Sequence, residues 1–163
     1  MTIAIEELAG QGLVSEELFT RLVNRISREH DMRREFAARI MDQALAYLGT
    51  CSAASEPLSP SEPVDIGWHT FILYTREYAE FCERVAGRFI HHEPADTGAI
   101  PITRTPEDSM SVTVKALRDA GYAVDLELWT ASVKCNQCRE GCTHSGGDTG
   151  CHQYQVSAGT VPA

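Results

Sequence analysis

The sequence has few basic residues and no basic stripe. Only 14 of its 163 residues are lysine or arginine, against 23 acidic residues, so the formal net charge is −9 and the pI is about 5.1. Such a chain would repel the phosphate backbone of a nucleic acid, and we expect no nucleic-acid partner. No basic amphipathic segment indicates binding to an anionic membrane surface either.

Long apolar runs are also missing. No stretch approaches the roughly 20 apolar residues that a membrane-spanning helix needs. Acidic residues stand within residues 1–7, where a signal peptide would carry lysine or arginine. We therefore expect a cytoplasmic protein that does not contact membranes. Only Lys115 and Lys134 are lysines; this preference for arginine, with abundant alanine and glycine, is typical of a GC-rich bacterial genome.

The sequence shows no internal repeat and no strand-like alternation of apolar and polar residues. Apolar residues instead recur at helical spacing, which predicts an all-α fold. We expect a compact bundle of about four helices, over residues 15–29, 31–48, 63–86 and 105–121, with a short turn over 125–129. Residues 1–130 would form this helical domain, and residues 131–163 would form a cysteine-rich, metal-binding tail packed on it.

Capping residues predict where these helices begin and end. Ser15 and Thr105 are favourable N-caps, and Pro63 is a favoured residue in a first helical turn. Gly49 and Gly87 follow apolar periodic segments, and glycine commonly ends a helix. The third helix carries apolar residues on more than one side, so we expect it to be central to the fold.

The C-terminal segment contains the strongest chemical motif. It holds four cysteines and two histidines within eighteen residues. A C-x2-C pair can direct two thiolates at one ion, and nearby glycines permit the turns that bring further ligands round. The predicted ligands are Cys135, Cys138, Cys142 and Cys151, with His144 and His152 as alternates. Sites of four cysteines, or of three cysteines and a histidine, are typical of zinc. A filled four-ligand site would be structural and would fold the tail.

Four other interpretations of these cysteines remain open. They could pair as disulfides or stay as free thiols, although a reducing compartment favours metal binding over disulfides. An iron–sulfur cluster also takes four cysteines, but this spacing matches neither common ferredoxin pattern. Redox chemistry at Cys135 and Cys138 lacks the βαβ context in which C-x-x-C indicates a thioredoxin-like site.

A second constellation lies on the third predicted helix. Asp65 and His69 are four residues apart, so the carboxylate can reach the imidazole. If His91 or His92 folds back, the group offers the two-histidine, one-carboxylate ligand set of open metal sites, which suits a second ion such as iron. The alternative is structural: Asp65 would orient a buried His69 through a hydrogen bond, with Trp68 packed in the core.

The same region resembles a known family. Its residues are Asp65, Trp68 and His69, followed by Tyr78, Cys82, Gly87 and His91. This order resembles the signature of the glycine-rich domain-containing protein-like family, Asp-x-x-Trp-His followed by Tyr, Cys, Gly and His. The resemblance implies that these residues lie on helices, and it implies no particular activity. The chain departs from the pattern at Phe71, where a second histidine often follows.

Two classes of function fit these features. The first is a metal-binding, zinc-stabilised helical protein that acts as a binding or accessory protein, since no nucleophile–base or phosphate-loop motif is present. The second is a small metalloenzyme that uses an ion held by Asp65, His69 and His91 or His92 to activate water or a substrate oxygen. The sequence leaves open whether the protein is an enzyme.

Replacing both Cys135 and Cys138 by serine should remove about one zinc ion per chain. Serine supplies neither the charge nor the soft donor of a thiolate at neutral pH. Elemental analysis of protein purified without added metal measures this directly. Unchanged zinc in the double variant would contradict the predicted cysteine site.

Overall fold

The computed structural model describes residues 7–92 and 105–130. Within these ranges the chain is all-α, with no strand and only one isolated parallel bridge, between Leu8 and Tyr122. A 3-10 helix over Gly10–Leu13 precedes six α-helices: α1 (Glu16–Glu29), α2 (Arg34–Cys51), α3 (Glu62–Ile72), α4 (Thr75–Ala86), α5 (Pro106–Asp119) and α6 (Leu126–Trp129). None of the helices in the described ranges has the length and apolar character needed to cross a bilayer.

The first helix begins where the sequence predicts. The Ser15 hydroxyl accepts a hydrogen bond from the Leu18 amide, and Glu16 and Glu17 lie in the positively polarised first turn. Leu22, Val23 and Ile26 form its buried face. This face packs on α2, as expected for two amphipathic helices joined by a short connection.

Helix α2 is the centre of the fold and contacts α1, α3, α5 and the 3-10 helix. Its bounds differ from the prediction at both ends. It begins at Arg34, after the extended N-cap residue Arg33, and Asp31 lies before it in a left-handed conformation with a φ of 47°. It continues through Gly49 to Cys51, so the prediction that Gly49 ends it is wrong. A Cβ at Gly49 would lie 2.5 Å from the Tyr122 hydroxyl oxygen, so this glycine serves close packing and not helix termination.

The third predicted helix is in fact two helices. The chain breaks between α3 and α4 at Tyr74, whose φ and ψ are −91° and 65°. The break places Leu73 in solvent, with 58% of its surface exposed. It also lets Phe71 on α3 pack edge-on against Tyr78 on α4, with ring centroids 5.2 Å apart. Apolar residues on several sides of the predicted helix thus reflect two short helices that share one core.

The C-terminal elements follow the prediction more closely. The Thr105 hydroxyl caps α5 by accepting from the Asp108 amide, and Gly121 ends the segment with a φ of 85°. Residues 126–129 form a single helical turn, α6, whose Trp129 is buried.

A buried glutamine fastens this last segment to α2. The Gln43 side-chain oxygen accepts hydrogen bonds from the Trp129 indole nitrogen at 2.8 Å and the Asp125 amide at 3.1 Å. Its amide nitrogen donates to the Ala123 carbonyl at 3.0 Å. These bonds satisfy the polar atoms of a side chain that is only 3% exposed.

The predicted zinc tail lies outside the described residues. This applies to all six candidate ligands, Cys135, Cys138, Cys142, His144, Cys151 and His152. The zinc site and the division at residue 130 therefore stay predictions.

A methyl group at Gly67 should destabilise the fold. A Cβ there would lie 2.6 Å from the Ala44 Cβ and 3.2 Å from the Ile40 carbonyl oxygen on α2, and neither atom can rotate away. We expect Gly67→Ala to lower the free energy of unfolding by about 1–3 kcal/mol, the usual cost of overpacking. Chemical denaturation measures the change.

Gly12→Ala is the matched control for this substitution, because no heavy atom lies within 4 Å of a Cβ at Gly12. Equal stability of the two variants would show that α2 and α3 do not pack closely at Gly67.

Candidate metal centre

Helix α3 brings the first two candidate ligands together. Ser61 caps the helix by accepting from the Val64 amide, and Pro63 occupies its first turn. Asp65 also lies in this turn, where the helix dipole favours a negative charge. One turn later His69 projects from the same face, and its Nδ1 atom lies 3.3 Å from Asp65 Oδ2.

The third candidate ligand lies on the segment that follows α4. Gly87 ends this helix in the left-handed conformation, with a φ of 63°. The chain then returns to α3, and His92 Nε2 lies 2.7 Å from Asp65 Oδ1. Asp65 therefore directs one carboxylate oxygen at each of two imidazoles.

The structure distinguishes between the two adjacent histidines. His92 belongs to the cluster, and its side chain is only 15% exposed. His91 is exposed and packs against Phe89, with ring centroids 4.9 Å apart, so it takes no part in the cluster. Of the four predicted residues, Asp65, His69 and His92 converge and His91 does not.

The geometry is close to that of a three-ligand metal site. One potential ligand atom from each of Asp65, His69 and His92 lies within 4.8 Å of the other two. Ligand atoms bound tetrahedrally at about 2.0–2.1 Å from one ion lie roughly 3.3–3.4 Å apart. The distance of 3.3 Å from His69 Nδ1 to Asp65 Oδ2 has this length. The distance of 2.7 Å from His92 Nε2 is measured to the other carboxylate oxygen, Oδ1, and is that of a hydrogen bond.

The structural alternative predicted a buried His69, and this expectation is wrong. The His69 side chain is 59% exposed, so the Asp65–His69 pair is not a satisfied polar pair within the core. Trp68, by contrast, is 6% exposed, as expected of a core residue. An exposed pair of this kind contributes little to stability, about 0–1 kcal/mol.

Aromatic rings hold His92 from two sides. Its ring centroid lies 4.4 Å from that of Trp68 and 4.3 Å from that of His69. Beneath Trp68 lies Tyr47, with ring centroids 5.5 Å apart. The cluster thus has a buried aromatic floor on one side and, at His69, access to solvent on the other.

Two further titratable groups near the cluster keep their protons. Burial raises the pKa of the Cys51 thiol to about 11, so this sulfur is not a thiolate ligand at neutral pH. Burial also raises the pKa of the Tyr47 phenol, and the negative charge of Asp65 adds to that effect. The polar ligand set is therefore one carboxylate and two imidazoles.

Sequence reasoning missed the hydrogen bonds that support this cluster. The Trp68 indole nitrogen donates to the Tyr78 hydroxyl at 2.8 Å, and that hydroxyl donates to the Ile90 carbonyl at 2.6 Å. The available signal was that buried tryptophan and tyrosine need partners for their polar atoms. Their spacing in sequence does not identify those partners.

Comparison with known proteins gives one family. The model of the UCP032817-like family matches residues 11–111, well over half of the chain, and this span includes α1 to α4 and all three clustered residues. The resemblance to the glycine-rich domain-containing protein-like family is therefore wrong: it depended on a few residues between 65 and 91, whereas the match extends across most of the helical core. No curated protein and no solved structure matches the chain.

Proposed function

The chain belongs to the UCP032817-like family, and we propose that this member is a metal-binding protein whose Asp65, His69 and His92 hold a divalent transition-metal ion. The observation that carries the proposal is the convergence of these three side chains on one point. Two histidines and one carboxylate are a ligand set that iron(II) and zinc both accept.

Charge and exposure both favour a functional ion over a purely structural one. Three protein ligands leave coordination positions free, whereas structural zinc sites are normally closed by four. One carboxylate and two neutral imidazoles leave a divalent ion with a net charge of about +1, which favours an oxygen or anionic ligand. The exposure of His69 leaves one side of the site open to such a ligand.

The same three ligands also suit the alternative function, that of a small metalloenzyme. When bound, the ion would supply Lewis-acid chemistry toward water or a substrate oxygen. Asp65 would neutralise part of its charge, while the Trp68 ring would hold His92 in place. A binding or accessory role needs the same three ligands without turnover.

The cysteine-rich tail supports a second and separate proposal. Cys135, Cys138, Cys142 and Cys151, with His144 and His152 as alternates, would hold a structural zinc ion. The two sites differ in chemistry, because sulfur ligands and a closed shell favour zinc, whereas nitrogen and oxygen ligands with free positions also suit iron(II).

Removing one imidazole should abolish the proposed open site. In a chain that already carries Cys135→Ser and Cys138→Ser, we expect His92→Ala and His69→Ala each to lose one remaining metal equivalent. Each substitution leaves only two protein ligands for the ion. Isothermal titration with zinc and with iron(II) under anaerobic conditions measures the stoichiometry.

His91→Ala is the matched control, because it removes the adjacent histidine, which packs against Phe89 and lies outside the cluster. It should bind metal as the parent does. If all three variants and the parent bind the same number of ions, Asp65, His69 and His92 do not form a metal site.

A further inference from the structure

We infer that the Tyr78 hydroxyl is a positioning group of the metal centre: by bridging Trp68 and the Ile90 carbonyl, it sets the place of His92 beside Asp65. The inference deepens the proposed function and rests on it, because its functional readout is metal affinity. Tyr78 contacts no proposed coordination position and would act through His92.

The need for such a group follows from where His92 lies. Asp65 and His69 share one helix, so local backbone geometry sets their separation. His92 instead lies beyond the left-handed Gly87, on a segment without helical hydrogen bonds of its own. A contact outside the segment must therefore hold it against α3.

The Tyr78 hydroxyl provides this contact two residues before the ligand. It donates to the Ile90 carbonyl at 2.6 Å. Ile90 itself is buried, with 6% of its surface exposed, so the bond lies away from competing water. The backbone of the return segment is thus fixed relative to α4.

The same hydroxyl also orients the Trp68 ring, which packs against the His92 ring. It accepts a hydrogen bond from Trp68 Nε1 at 2.8 Å, which fixes the orientation of the indole. The Trp68 ring in turn lies 4.4 Å from the His92 ring. The Tyr78 hydroxyl therefore positions His92 in two ways. It fixes the backbone at Ile90, and it fixes the indole ring against which His92 packs.

The hydroxyl is held rigidly and keeps its proton. Tyr78 is 1% exposed, and its ring meets those of Phe71 and Phe89 edge-on at 5.2 and 5.3 Å. Burial raises the pKa of Tyr78 above its ordinary value, so the hydroxyl stays a donor to Ile90 at neutral pH. Groups that orient metal-bound histidines typically change metal affinity about 10–100-fold when they are removed.

The test compares Tyr78→Phe with Thr113→Val in a chain carrying Cys135→Ser and Cys138→Ser. Both substitutions remove one buried hydroxyl that donates to a backbone carbonyl; Thr113 lies on α5, and its bond goes to Ser59, at 3.0 Å. Competition with a chromophoric chelator measures the affinity for Zn²⁺. We expect Tyr78→Phe to weaken binding about 10–100-fold and Thr113→Val to leave it unchanged.

A second measurement needs no metal. In metal-free protein, the imidazole resonances of His92 in NMR spectra should shift in Tyr78→Phe and stay in place in Thr113→Val. If Tyr78→Phe does not fold, replacement of Trp68 by benzothienylalanine keeps a bicyclic ring against His92, removes the N–H donor to the same hydroxyl and should move these resonances too.

The outcomes distinguish the positioning role of Tyr78 from the proposed metal site. Zinc affinity and His92 resonances that are the same in Tyr78→Phe and the parent would overturn the positioning role. A parent that binds no zinc through Asp65, His69 and His92 would overturn the proposed function, and the His92 resonances would still decide whether Tyr78 positions the histidine.

Discussion

The close crossing of α2 and α3 is the constraint on which the rest of the structure depends. Gly67 lets α3 approach so closely that a side chain there would meet Ala44 and Ile40 of α2. This approach places Trp68 in the core and leaves Asp65 and His69 on the outer side of the helix. The candidate site is therefore built on a helix whose position is determined by tight packing.

An aromatic row extends from this crossing through the core. Trp129 packs near Tyr47, with ring centroids 6.1 Å apart, and Tyr47 packs near Trp68 at 5.5 Å. His92 completes the row at its surface end. The row connects the candidate site with α6, the last described element before the cysteine-rich segment. Gln43 fastens its buried end by accepting the Trp129 indole proton.

The site combines two kinds of support. Asp65 and His69 stand one turn apart on a well-packed helix, so their separation depends on regular backbone geometry. His92 depends on contacts between residues far apart in sequence. Sites that are precise need their ligands fixed by surrounding packing and hydrogen bonds, and here Trp68 and Tyr78 supply both.

The sequence by itself determined the features that arise from local interactions. Helix starts at Ser15 and Thr105, the helix end at Gly87 and the pairing of Asp65 with His69 follow from capping and from four-residue spacing. All-α character follows from apolar periodicity in the same way. These features need no knowledge of distant residues.

The tertiary structure alone decided the remainder. It selected His92 over His91, placed Gly49 inside α2 and divided the third predicted helix at Tyr74. Each outcome depends on a contact between residues more than one helical turn apart in sequence: the Tyr78 hydroxyl with the Ile90 carbonyl, Gly49 with Tyr122, and Phe71 edge-on to Tyr78 across the break. Adjacent histidines have the same local propensities, so only the path of the returning chain, held by these contacts, could determine which one faces Asp65.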